Sequence, residues 1–199
     1  FGASLDKIKQ VVNPRKGEIM FGLNFVVHKG KTIFVADTSV HEYPTSEEMS
    51  EIAISAAMVV RLFGFDPKVA FVSHSTFGQP VTSRTKHIRK AVDILREKNV
   101  DFEFDGDMQP DVALNNEYKN LYPFSKIVGN ANILIMPGQH SAAISYKMMK
   151  TLGDTKVIGP LLVGLGLPIE IAPLRTSTSE LINLASIAAY SADKIDYSK

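Results

Sequence analysis

Val69-Ala70-Phe71-Val72-Ser73-His74-Ser75-Thr76-Phe77-Gly78 is a short apolar run that stops abruptly in a polar loop, beyond which a helical pattern begins. Four consecutive apolar residues bounded this way read as a strand buried on both faces, as in a parallel sheet. The loop after it then lies at the carboxyl end of a strand, where open α/β sheets place their ligands. Its hydroxyls, its imidazole and its free backbone amides suit the oxygens of an anion. The same hydroxyls could instead cap the next helix. Nucleophilic Ser-His chemistry is not indicated. Residues adjacent in an extended chain point to opposite sides, and no Gly-x-Ser-x-Gly elbow is present.

Outward from this strand, strand-like and helix-like segments alternate. Leu23–Val27 and Thr32–Ala36 flank His28-Lys29-Gly30-Lys31 and predict a hairpin with glycine in the turn. Thr45 and Glu48 stand at capping-box spacing before Met49, Ile52, Ala53, Ala56, Val59, Val60 and Phe63, an apolar stripe at steps of three and four that Gly64 ends. Ile88, Ala91, Val92 and Leu95 mark a second amphipathic helix, broken near Asn99. Further on, the pattern predicts a short strand at Phe102–Phe104, a helix over Pro110–Tyr118, a buried strand at Ile133–Met136 and a helix over Ser141–Leu152 closed by Gly153. Extended segments Val157–Val163 and Pro168–Ala172 and a last helix from about Ser179 to Tyr190 complete the order. The expected class is α/β: a mostly parallel sheet covered by helices on both faces, forming one domain over residues 1–199.

Composition narrows the function. The 199 residues carry 22 basic and 21 acidic side chains, so charge points neither to a nucleic-acid groove nor to an anionic membrane surface. The absence of cysteine removes disulfides, thiolate metal sites and a cysteine nucleophile together, and fits a cytoplasmic protein. No apolar run approaches the roughly 20 residues that span a bilayer, and no signal-peptide pattern opens the chain. Because the chain begins at Phe1, it is expected to be a piece of a longer protein.

Other constellations are weaker. Asp105-Gly106-Asp107 with Asp111 lacks the ordered oxygen ligands and terminal glutamate of a calcium loop, and reads as a turn before a helix. No metal site is expected. Arg84, Lys86, His87, Arg89 and Lys90 form a basic cluster best read as a solvated helix face, since no aromatic residues interleave for base stacking. Pro137-Gly138-Gln139-His140-Ser141 and Gly159-Pro160-Leu161-Leu162-Val163-Gly164-Leu165-Gly166 are glycine-bearing junctions where a ligand could approach the backbone closely; neither has Walker or dinucleotide spacing.

Several blocks together carry a family likeness. Ala36-Asp37, Glu48–Phe63 with Gly64, Pro67–Ala70 through Gly78, Asp105-Gly106-Asp107-Met108-Gln109, Ala131–Pro137, Ile158–Gly164 and Pro168 resemble the phosphotransacetylase family in order and spacing. The likeness spans nearly the whole chain. It implies a two-lobed α/β fold similar to isocitrate and isopropylmalate dehydrogenases, and transfer of an acetyl group between coenzyme A and phosphate.

The departures from that pattern bear on activity. In the register the resemblance implies, Pro173 and Leu174 stand where active members carry a Ser-Arg pair, Glu180 stands at the acid taken to be the base, and Arg175 is one position late. Ile19-Met20-Phe21 occupies the place of an expected arginine before Gly22. Losing an arginine that clamps phosphate or a developing oxyanion removes several kcal/mol of transition-state stabilisation. This pattern, with His74 and Phe77 in the loop, resembles the carboxyl-terminal domain of large bacterial NADP-dependent malic enzymes. That resemblance implies a domain without transferase chemistry that senses acetyl-coenzyme A and supports homo-oligomers, with NADP and a divalent metal confined to an amino-terminal malate-decarboxylating domain in the same chain. Under it, Ser75, Thr76 and Gly78 line the cleft, His140 and Ser141 present a helix N-terminus, Gly159, Pro160 and Gly164 admit close backbone approach, and Arg175 meets a ligand phosphate. Two alternatives stand beside it. One is an active phosphate acetyltransferase with Glu180 as base; the other is a structural dimerisation domain using the last helix around Leu181, Ile182, Leu184, Ala185, Ile187 and Ala188.

Overall fold

A computed structural model of the chain describes residues 2–195. Its elements are α1 (Gly2–Val11), β1 (Phe21–His28), β2 (Lys31–Ala36), α2 (Ser46–Leu62), β3 (Lys68–Val72), α3 (Ser83–Glu97), β4 (Glu103–Met108), α4 (Pro110–Leu114), α5 (Asn116–Lys119), β5 (Ile133–Ile135), α6 (Gln139–Leu152), β6 (Thr155–Val163) and α7 (Thr178–Lys194). The strands form a six-stranded sheet in the order β4-β3-β5-β2-β1-β6. Pairs β3·β4, β3·β5 and β2·β5 are parallel, whereas β1 runs antiparallel to both β2 and β6. Five strands therefore share one direction and β1 alone is reversed. That reversal follows from the hairpin, whose turn residues Lys29 (φ 47°) and Gly30 (φ 75°) both take the left-handed conformation a two-residue turn requires.

Alternation in the two central strands divides the core. Val69 and Phe71 of β3, with Ile133 and Ile135 of β5, face a core layer formed with α2, α3 and α7. Ala70, Val72, Leu134 and Met136 face the opposite layer, which includes Val112 and Ala113 of α4 and Ala142 of α6. Helices thus cover both faces, and the continuous apolar run of β3 is explained by burial on both sides. On α2 the capping box of Thr45 and Glu48 forms, and Met49, Ile52, Ala53, Ala56 and Val60 are fully buried. Each large side chain among them contributes about 1.5–3 kcal/mol by leaving water.

Several boundaries differ from the expected ones. The strand expected at Phe102–Phe104 begins at Glu103 and runs on to Met108, so Asp105 and Asp107 lie inside β4 and are buried rather than forming a turn. The helix expected over Pro110–Tyr118 is interrupted at Asn115, which ends α4 and caps α5. Pro168–Ala172 is not a strand; it contributes one isolated bridge, Leu161 to Glu170. Helix α1 has no counterpart in the apolar pattern, because Leu5 is the one residue it buries. In α7, Leu184 and Ile187 join the core while Leu181 and Ile182 remain exposed.

Candidate functional site

The carboxyl ends of β2, β3 and β5 meet along one edge of the sheet. There Asp37, whose side chain is fully buried, accepts hydrogen bonds from the backbone N–H groups of Gly22, Ser39, Val40 and His41 and contacts His41 Nδ1 at 2.7 Å. One carboxylate thereby organises the loop after β2 and the start of β1. The N-terminus of α6 is tied to this loop, because Gln139 donates its backbone N–H to His41 O and its Nε2 to Ser39 O. Beside it, His140 is exposed with Nε2 3.4 Å from Glu42, and the Ser141 hydroxyl donates to Gly138 O.

The loop after β3 is drawn inward rather than presented to solvent. Ser75 is completely buried, and its hydroxyl donates to Asp107. Thr76 accepts from the Gln109 N–H at 3.2 Å. Arg89 of α3 donates Nε–H to Asp107 Oδ1 at 3.1 Å. Gly78 (φ 83°) makes room for that arginine, since a Cβ there would meet Arg89 Nη1 at 2.5 Å. All five residues of the basic cluster are exposed, as a solvated helix face requires, and three of them also have partners. Arg89 pairs with Asp107, His87 lies between Ser46 and Pro44 O, and Lys90 pairs with Glu47.

A different cavity, of about 210 Å³, lies against β6 between α6 and α7. Gly159, Pro160, Arg175 and Glu180 line it, together with Tyr146, Lys147, Lys150, Pro173 and Thr176. Gly159 and Pro160 belong to the middle of the strand, not to a junction after it. Leu23 pairs with Leu161 and Phe25 with Ile158, so two residues of β6 oppose the single residue Asn24 of β1. This bulge suits a proline, which cannot donate to the ladder, preceded by a glycine at φ 121°. The close approach at Gly159 is made by the chain itself: a Cβ there would meet Asn24 Oδ1 and Leu23 O. At Gly164 the neighbour is likewise internal, the carbonyl of Ile19. Asn24 is fully buried, and its Nδ2 has no hydrogen-bond partner among the described residues.

Electrostatically this β6 cavity favours an anion. Lys147, Lys150 and Arg175 set three cations against the one carboxylate of Glu180. Arg175 is exposed and makes no ion pair among the described residues. Glu180 is already engaged. It accepts from the Ser177 N–H and hydroxyl, each at 2.8 Å, closing the capping box of α7, and from Lys150 Nζ at 3.0 Å. The Ser177 N–H above all, then Lys150 and the Ser177 hydroxyl, hold its carboxyl down at about 2. Burial raises the Tyr146 hydroxyl above its ordinary value.

The candidate residues thus fall into three groups. In the loop after β3, Ser75 bonds Asp107, Thr76 bonds Gln109 and Gly78 lies against Arg89; His140 and Ser141 sit at the carboxyl edge; Gly159, Pro160, Arg175 and Glu180 share the β6 cavity, while Gly164 stands at the end of that strand. Sequence reasoning missed Tyr146, Lys147 and Lys150. The spacing of the two lysines, three residues apart on a helix, was the available signal.

The family profile described as "Phosphate acetyl/butaryl transferase" matches residues 2–189. The chain belongs to this family. It is 45% identical over 192 residues to an NADP-dependent malic enzyme of Rhizobium meliloti (strain 1021), a match covering 96% of this chain and 25% of that protein. It is 31% identical to the phosphate acetyltransferase of Bacillus subtilis (strain 168), covering 90% of this chain and 56% of the relative. In three dimensions it resembles a phosphotransacetylase from Streptococcus pyogenes with a TM-score of 0.90 at 29% identity, covering 96% of this chain and 60% of the other. The chain spans about a quarter of the length of the malic enzymes it matches. The residues that the sequence resemblance sets against the family's arginine and Ser-Arg positions differ in exposure. Met20 and Phe21 are buried, Leu174 is fully exposed, and Pro173 lines the β6 cavity.

Proposed function

We propose that this phosphotransacetylase-like domain serves as the acetyl-coenzyme A sensing and oligomerisation part of a malic enzyme and does not itself transfer acyl groups. The state of Glu180 carries the reading. A general base works best with a pKa near the operating pH. A carboxylate held at about 2 by its capping role and by Lys150 is a weak proton acceptor at neutral pH. What remains at the β6 cavity is a cationic anion receptor built from Lys147, Lys150 and Arg175, suited to the phosphates of a coenzyme A ester. Self-association is supported by the exposed stripe Ile144, Met148 and Leu152 on α6, at steps of four. In this reading NADP and a divalent metal belong to a malate-decarboxylating part outside this chain, and the ligand acts by binding two states of the whole protein unequally. The wider kinship with isocitrate and isopropylmalate dehydrogenases, and a cytoplasmic setting, belong to the same reading.

The alternative is an active phosphate acetyltransferase, favoured by the presence of Arg175 and Glu180 in one cavity. Full-length protein assayed with acetyl phosphate and coenzyme A separates the two. The sensor reading expects no turnover together with saturable acetyl-coenzyme A binding that Arg175→Ala weakens. Robust turnover, or no saturable binding at millimolar ligand, overturns it.

A further inference from the structure

A second cavity, of about 500 Å³, opens at the other end of the sheet against the edge strand β4. Its size falls within the ~300–1,000 Å³ typical of small-molecule sites. Its chemistry divides in two. One wall is aromatic: Phe77, in the left-handed conformation at φ 49°, meets Phe124 edge to face with ring centroids 4.8 Å apart. Phe124 is 59% exposed, although it belongs to an aromatic cluster with Tyr122. The other wall is cationic and comprises Arg89, Arg96 and Lys126.

These cations are not equivalent. Arg96 is occupied by Asp93 at 2.6 Å and stands 3.7 Å from Asp105. Arg89 is held from behind: its Nε–H is given to the fully buried Asp107, and Gly78 leaves space for its guanidinium. Its two Nη groups, and Lys126 Nζ, make no hydrogen bond or ion pair among the described residues. An arginine fixed through Nε with both terminal nitrogens unengaged is a prearranged fork for a phosphate. Asp105, whose carboxylate accepts the Gly106 and Lys126 N–H groups, has its charge balanced by Arg96 and leaves Arg89 and Lys126 for the anion. Asp93 stays on the rim, where it can accept from an exocyclic amino group.

We propose that this β4-edge cavity binds a phosphorylated ligand bearing a flat heterocycle, of the adenine nucleotide class: phosphate on Arg89 and Lys126, ring against Phe77 and Phe124. The site lies at the opposite sheet edge from the β6 cavity and does not depend on the acetyl-coenzyme A reading.

The test is photolabelling of the full-length protein with 8-azido-ADP, with the crosslinked peptides mapped by mass spectrometry. Labelling is expected in the peptide containing Phe77 or in the one spanning Tyr122 to Lys126, protected by ADP and far less by adenosine or pyrophosphate alone. Phe124→Ala and Lys126→Ala alter exposed side chains and leave the Asp107 pairing intact. Each should cut labelling about five- to tenfold, as expected for loss of a ring contact or of a charge-assisted hydrogen bond. Crosslinks confined to other parts of the protein, or labelling unchanged in the double variant, overturn the site. Full protection by pyrophosphate alone overturns the nucleotide assignment.

Discussion

Replacing Glu180 by alanine tests whether its carboxylate is structural or catalytic. The side chain accepts the Ser177 N–H and hydroxyl and pairs with Lys150. Losing its half of the capping box costs about 1 kcal/mol. The ion pair adds only ~0.5 kcal/mol, because Lys150 is 52% and Glu180 33% exposed and solvent screens them. At pH 7 the variant should therefore be less stable by about 1.5 kcal/mol, or a few degrees in Tm for a chain of this size. The pH dependence has a definite sign. A carboxyl at about 2 in the folded state, against 4.5 ordinarily, binds fewer protons folded than unfolded. Its stabilisation is present above about pH 4.5 and is lost as pH falls toward 2. Urea unfolding at pH 7 and pH 3 should show the gap between native protein and variant shrinking in acid. An equal gap at both pH values, or none at pH 7, would refute the assignment. A base that were instead catalytic would contribute about 10²–10⁴ in rate. Neither protein should transfer acetyl groups.

Three further substitutions probe the scaffold. Asp37→Asn turns a donor amide toward backbone N–H groups that Asp37 now satisfies, and should destabilise by about 2–4 kcal/mol in chemical denaturation; a change under 1 kcal/mol contradicts its organising role. Gly164→Ala combines φ 84° with a Cβ driven into the Ile19 carbonyl, and should cost roughly 3 kcal/mol or more by the same measurement. Glu170 is raised to about 8 by burial, with the Leu162 N–H opposing. Its folded state holds a proton that the unfolded state releases above about 4.5, so stability declines as pH rises from there to about 8. Glu170→Gln removes that decline, and its Tm should gain on the native protein between pH 5 and 8 by the equivalent of about 1–3 kcal/mol. A constant difference across that range would show the carboxyl to be unperturbed.

What could be read from sequence was local. Thr45 with Glu48, the stripe from Met49 to Val60, and the apolar run at Val69–Val72 each signal their element within one or two turns of chain, and each forms as expected. Asp105 and Asp107 escape such a reading because what permits their burial is distant. Arg89 is 18 residues before Asp107, and Ser75 is 32 residues before it. No periodicity reports such a partner. The Gly159-Pro160 pair was legible as a point of close approach, but its neighbour proved to be Asn24 of the adjacent strand. Arg175 and Glu180 were found through the family pattern. Tyr146, Lys147 and Lys150 joined them only once α6 and α7 were placed on either side of β6.

We propose that the β6 cavity binds a coenzyme A ester without reacting with it. Calorimetric titration of the full-length protein with acetyl-coenzyme A in phosphate buffer, followed by assay of acetyl phosphate in the same cell, tests this directly. Saturable heat with no acetyl phosphate is the predicted result; acetyl phosphate accumulating with turnover, or no saturable heat at millimolar ligand, would contradict it.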